Sequence, residues 1–166
     1  NTRSWQLEIA RSWNVYLPHL SNIRAGLVWA VEELQSDLAY RYLGSIRGLW
    51  NDFGLHGQEF PLVERVLALP PPQDRATLLR ALLVSANTMS GTGQFEALEV
   101  RLHEILALCR ELNDVESMAW ARLGLAELAH DSGQGERAWE IEQRIIRELQ
   151  ERIGVGLPTR KQQTLR

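Results

Sequence analysis

Apolar residues recur along most of this chain at the three- and four-residue spacing that lines one face of a helix. Trp5, Ile9, Trp13 and Tyr16 make the first stripe, which Pro18 ends. Ser21, a residue type suited to an N-cap, opens a second stripe of Ile23, Leu27, Ala30, Val31 and Leu34, and the two predict a helix hairpin. A third helix is predicted from about Asp37 to Phe53, burying Leu38, Tyr42, Ile46, Leu49, Trp50 and Phe53 before a break at Gly54 to Gly57. The fourth ends at Pro70-Pro71-Pro72. That triplet can neither continue a helix nor offer amide hydrogens to a strand, so it marks a rigid joint between units rather than a domain boundary.

The stretch from Arg75 to Asp114 is the clearest unit: an apolar helix that Asp74 can cap, a Gly91-Thr92-Gly93 break, a second apolar helix and an Asn113-Asp114 stop. Asp114 can cap a seventh helix through Met118, Ala119, Leu123, Ala126 and Leu128. After Gly133-Gln134-Gly135 an eighth carries Ala138, Ile141, Ile145 and Leu149, and beyond Pro158 the tail is polar and without a stripe. No run alternates with period two over strand length. The pattern predicts an all-α chain of about eight helices.

Taking Gly57-Gln58, Gly93-Gln94 and Gly133-Gln134 as equivalent breaks gives intervals of 36 and 40 residues. Five residues after each glycine stand Leu62, Leu98 and Ala138; twelve after stand Leu69, Ile105 and Ile145; seven before stand Trp50, Ala86 and Ala126. A period of this size is the signature of helical arrays, whose hairpins bury their faces by stacking on neighbours. On Ala86 and Ala126, the Gly-Gln turns with Phe95, and Leu62, Leu98 and Ala138, residues 37–153 resemble the tetratricopeptide repeat (TPR) family. The chain departs from that pattern in bulky Trp50 at a small-residue site, in Glu142 at an apolar site, and in lacking a closing proline. The resemblance implies a right-handed superhelical array of antiparallel hairpins. Residues 1–36 would be a degenerate or capping hairpin, 37–153 three repeats and 154–166 a flexible tail. The runs Leu20 to Glu32, Leu108 to Asp114 and Ala119 to Ala129 also look like the repeat region of bacterial STAND-type signalling ATPases and of LuxR- or MalT-like transcriptional regulators.

Composition narrows the chemistry. The chain has 45% hydrophobic and 23% charged residues, within the ordinary globular range, and no run approaches the roughly 18 apolar residues of a membrane span. A net charge of −3 supplies no basic field for phosphates, so direct nucleic-acid binding is not expected. Cys109 is the one cysteine, which precludes an internal disulfide and fits a reducing, cytoplasmic setting. Without an initial Met or a signal-like segment, the chain reads as a domain of a longer intracellular protein. His19, His56, His103 and His130 lack the spacing of a helical zinc site, and Gly91-Thr92-Gly93 lacks the Lys-Ser/Thr of a phosphate loop. Cys109 sits at helical spacing from Ile105 and reads as packed rather than nucleophilic. Glu96, Glu99 and Glu104 fall on solvated faces with nothing pairing them for acid–base work. No catalysis, metal or cofactor is expected.

Positions thirteen, ten, six and three before each turn glycine would, by the same resemblance, line a concave wall. They give Gly44, Arg47, Asn51 and Gly54; Arg80, Leu83, Asn87 and Ser90; and Trp120, Leu123, Glu127 and His130. From these, Arg47, Asn51, Arg80, Asn87, Trp120, Glu127 and His130 are the partner-binding candidates. Arg47, Asn51 and Asn87 look partly like a clamp for a peptide carboxylate, an arrangement Glu127 would oppose; the alternative is ordinary solvated groove residues. Trp120 reads as core or as a stacking platform. The expected function is a non-catalytic, effector-sensing or protein-interaction domain of a bacterial regulator or signalling ATPase, its partner a protein, a peptide or a small effector, with self-association open. The alternative is a free-standing peptide-binding scaffold or chaperone adaptor.

Overall fold

The computed structural model describes residues 17–46, 56–90 and 92–153, and among them every regular element is helical. A 3-10 turn, Leu17–His19, leads into α1 (Leu20–Glu32), followed by α2 (Ser36–Ser45), α3 (His56–Leu67), α4 (Arg75–Met89), α5 (Phe95–Leu112), α6 (Val115–Asp131) and α7 (Gly135–Ile153). No helix among the described residues is long and apolar enough to cross a membrane. The first predicted helix, with Trp5, Ile9, Trp13 and Tyr16, lies outside the described residues, as do Leu49, Trp50, Phe53 and the 154–166 tail.

Local chemistry sets most of the ends. The Asp74 carboxylate accepts from the amides of Ala76 at 3.2 Å and Thr77 at 3.1 Å, capping α4 as expected. Asp114 does the same for α6, accepting from the Ser117 amide at 3.0 Å. Three of the described helices close with a left-handed residue, whose own amide and the next donate to carbonyls of the last turn. Asn113 (φ 54) and Gly133 (φ 72) suit that conformation, whereas Leu34 (φ 54) does not.

Four expectations are corrected. Helix α1 begins at Leu20, so Ser21 lies inside it and caps nothing. Leu34 ends the α1 stripe in solvent, 74% exposed. Gly57 lies in the first turn of α3 rather than in a break, so its equivalence to Gly93 and Gly133, both with positive φ, does not hold in backbone conformation. Helix α2 stops at Ser45 and buries Ala39, Tyr40 and Leu43, leaving Leu38 exposed and Tyr42 half-buried.

The chain divides between Met118 and Ala119 into two compact units. In the first, α4 is the central helix, packed against α2, α3 and α5, with ten of its fifteen residues buried. Leu27 and Val31 of α1, Leu43 of α2, and Leu62, Val63 and Val66 of α3 form its core with Ala81 and Val84 of α4. Each fully buried Leu or Val there contributes about 1.5–3 kcal/mol. Buried Glu59 of this unit is matched: Arg24 of α1 donates from Nε to both its oxygens, at 3.2 and 3.3 Å. In the second unit α6 buries Ala121, Arg122, Leu125, Ala126 and Ala129, and α7 buries Ala138 and Ile145. Arg122 is joined there to Glu148, which also accepts from Arg144 Nε at 3.1 Å.

Candidate functional site

Because α2 and α4 pack on each other and each follows a tight connection, their first turns open onto one cleft of about 990 Å³. Leu34 to Leu38 and Arg41 line it on one side, Pro70 to Asp74, Thr77 and Arg80 on the other. The Ser36 hydroxyl donates to the Pro70 carbonyl and so ties the two connections together. Gln35 Nε2 donates to the Glu33 carbonyl at 3.1 Å.

Charge in the cleft is arranged unevenly. Asp74 is fully engaged by its own helix, accepting also from Thr77 Oγ1 at 2.6 Å, and that hydroxyl is the main reason its carboxyl titrates below the usual aspartate range. Arg80 Nη2 donates to Thr77 Oγ1 at 3.0 Å and stands 3.8 Å from Asp74. Arg41 is exposed and forms no ion pair among the described residues. Leu34 and Leu38, 74% and 43% exposed, give the mouth an apolar edge. Such a set can hold an extended polar chain by hydrogen bonds while an apolar group rests on the leucines and prolines.

Of the seven predicted site residues, Arg80 lines this cleft. Arg47 and Asn51 lie outside the described residues. Asn87 is half-buried two turns further along α4, and Leu83 between them is core, 2% exposed. In the second unit Trp120 is half-buried and Glu127 exposed. His130 Nε2 stands 3.2 Å from Glu142 Oε1, which gives that acid, placed by sequence at an apolar position, a partner across its own hairpin. Arg41 and Asp37 were not among the predicted site residues, and the Pro70–Asp74 connection was expected as a joint and a cap rather than as part of a site.

Cys109 is completely buried on α5, and that burial pushes its thiol up to about 11, the setting of a packed rather than a reactive cysteine. Among the described residues no three His, Cys, Asp or Glu side chains gather as a metal-ligand group.

Comparisons with protein-family models, with curated proteins and with solved structures gave no match to this chain.

Proposed function

We propose that the chain is a non-catalytic partner-binding domain built from TPR-like helix hairpins, serving as a sensing arm of a bacterial signalling ATPase or transcriptional regulator. One observation carries the reading. Gly57 is helical where Gly93 is left-handed, yet Gly44 and Arg80, each thirteen residues before one of them in sequence, meet: a Cβ added at Gly44 would lie 3.0 Å from Arg80 Cβ. Residues at equal offsets stacking on one another is the behaviour of a helical array, which uses its stacked first helices to present a binding surface. The cleft beside that contact supplies hydrogen-bonding and apolar groups suited to a peptide segment.

Selecting random peptides on the whole chain tests this. The expected result is a set of peptides whose binding is lost in Arg41→Glu/Arg80→Glu with the melting temperature kept. Selected peptides that bind this variant unchanged, or an empty selection, would overturn the cleft as the partner site. The regulator assignment is tested separately by the coding sequence on either side: neither a nucleotide-binding loop nor a DNA-binding module there removes it.

A further inference from the structure

Arg101 of α5 is half-buried and only loosely paired. Its side chain is 20% exposed, yet its contacts are an oxygen of Glu64 at 3.9 Å and one of Glu104 at 3.3 Å. Each acid is met by one nitrogen only, Glu104 by Nη1 and Glu64 by Nη2, so most of its five N–H donors are left without a carboxylate. A guanidinium buried to this degree ordinarily sits in a bidentate grip with a carboxylate or phosphate. Glu104 is 51% exposed and so held weakly against solvent, while Glu64, 42% exposed, has its nearer oxygen already accepting from Ser85 Oγ at 3.3 Å.

The guanidinium stands in the wall of an open-mouthed pocket of about 410 Å³, within the size range of small-molecule sites. Leu67 of α3, Leu78 and Leu82 of α4 and Leu108 of α5 make its lining mainly apolar. A second cation, Arg75, reaches the same lining but is already gripped by Glu111, from Nε at 3.2 Å and Nη2 at 3.1 Å. Tyr40 Oη is likewise engaged, donating to the Leu67 and Leu69 carbonyls at 3.3 and 3.4 Å. Arg101 is therefore the group with donors to offer, at the edge of an open, mainly apolar pocket.

We propose that this pocket binds a small apolar carboxylate, its tail among the four leucines and its head on Arg101. The incoming carboxylate takes the place of Glu104, which turns to water. This site shares only Pro71 with the lining of the α2–α4 cleft and does not rest on the reading given to that cleft.

Octanoate and its uncharged counterpart octanol, titrated into the whole chain, test the assignment by amide chemical shifts and by calorimetry. Octanoate should shift the amides of Leu78, Leu82 and Leu108. Its affinity should fall about tenfold in Arg101→Gln, the loss of one charge-assisted contact, and rise severalfold in Glu104→Gln, where the competing acid is gone. Octanol should bind all three proteins alike. Should Arg101→Gln fail to fold by circular dichroism, the exposed Glu104→Gln carries the test alone. Octanoate that leaves those amides unmoved, or whose affinity is unchanged by Glu104→Gln, would overturn the site, as would octanol following the same pattern.

Discussion

The hairpin α4–α5 and the hairpin α6–α7 share a register and differ in what fills it. Counted from Gly93 and Gly133, Ala86 matches Ala126 and Ile105 matches Ile145, and all four are buried. At two other matched positions the first hairpin has Leu82 and Leu108, which line one apolar pocket, while the second has Arg122 and Glu148, joined as an ion pair. Leu102, buried in the first, is answered in the second by Glu142, paired with His130. One hairpin frame thus accepts either an apolar pair or a charged one, provided both members change together. The reason is energetic: a paired charge and an apolar pair of similar volume are close in stability, whereas a lone buried charge is not.

The sharpest way to break this equivalence is to transplant half of it. Leu82→Arg places an unpaired charge at a site that is almost fully buried, and should cost about 3–5 kcal/mol in urea unfolding. Adding Leu108→Glu should return a large part of that loss. A double variant no more stable than the single one would show that the two registers do not correspond.

The reverse exchange should have a smaller effect. Arg122→Leu strands Glu148 with Arg144 alone, and because Glu148 is 37% exposed the expected cost is about 1–3 kcal/mol rather than the figure for a fully buried pair. Arg122→Leu/Glu148→Leu should restore the wild-type denaturant midpoint or exceed it. Failure to do so would mark the ion pair as required rather than interchangeable.

Acid separates the hairpins more gently. The hydrogen bond from Arg122, foremost, and that from Arg144 hold the Glu148 carboxyl below the ordinary glutamate value. A carboxyl depressed in the folded state stabilises fully above its unfolded pKa of about 4.3, and that stabilisation is lost as the pH falls through the folded value. Thermal unfolding followed from about pH 6 to about pH 3 should therefore fall more steeply in the wild type than in Arg122→Leu/Glu148→Leu. Equal slopes would mean that Glu148 contributes nothing measurable.

The mildest test concerns the connections. Asn113 and Gly133 end their helices in a left-handed conformation natural to them, and Leu34 ends α1 in the same conformation against its preference. Leu34→Gly should raise stability by about 0.5–1 kcal/mol, since the exposed side chain gives up little packing. A lower melting temperature would show that Leu34 packs in a way its exposure hides.

Much of this fold was legible wherever one residue's own chemistry decides the outcome. Asp74 and Asp114 as caps, and Asn113 and Gly133 as stops, follow from side-chain acceptors and backbone freedom alone. The buried face of α2 was not legible. Leu38, Tyr42 and Ile46 make the stronger hydrophobic stripe, but α2 packs on α1, α3 and α4, and those neighbours select Ala39, Tyr40 and Leu43 alongside Ile46, leaving Leu38 exposed and Tyr42 half-buried. Small Ala39 and polar-tipped Tyr40 carry weak apolar signals, and Tyr40 hydrogen-bonds carbonyls almost thirty residues away. The cleft was only partly visible for a related reason. Counting offsets along helix faces finds Arg80, but helix ends and connectors contribute Asp37, Arg41 and the prolines, and no periodicity reports on those. Arg101 gave no sign at all, since on an amphipathic helix a half-hidden arginine and a solvated one have the same spelling.

The enclosure of α4 also sets a clock. With α2, α3 and α5 packed on it and Leu79 to Met89 buried at all but two positions, its amides in that stretch have few routes to water short of opening the unit that holds them. In heavy water they should be among the last protons of this unit to leave, while the Arg75 and Ala76 amides at its open end exchange early. The order in which the signals fade would read out, residue by residue, which helix the others were built around.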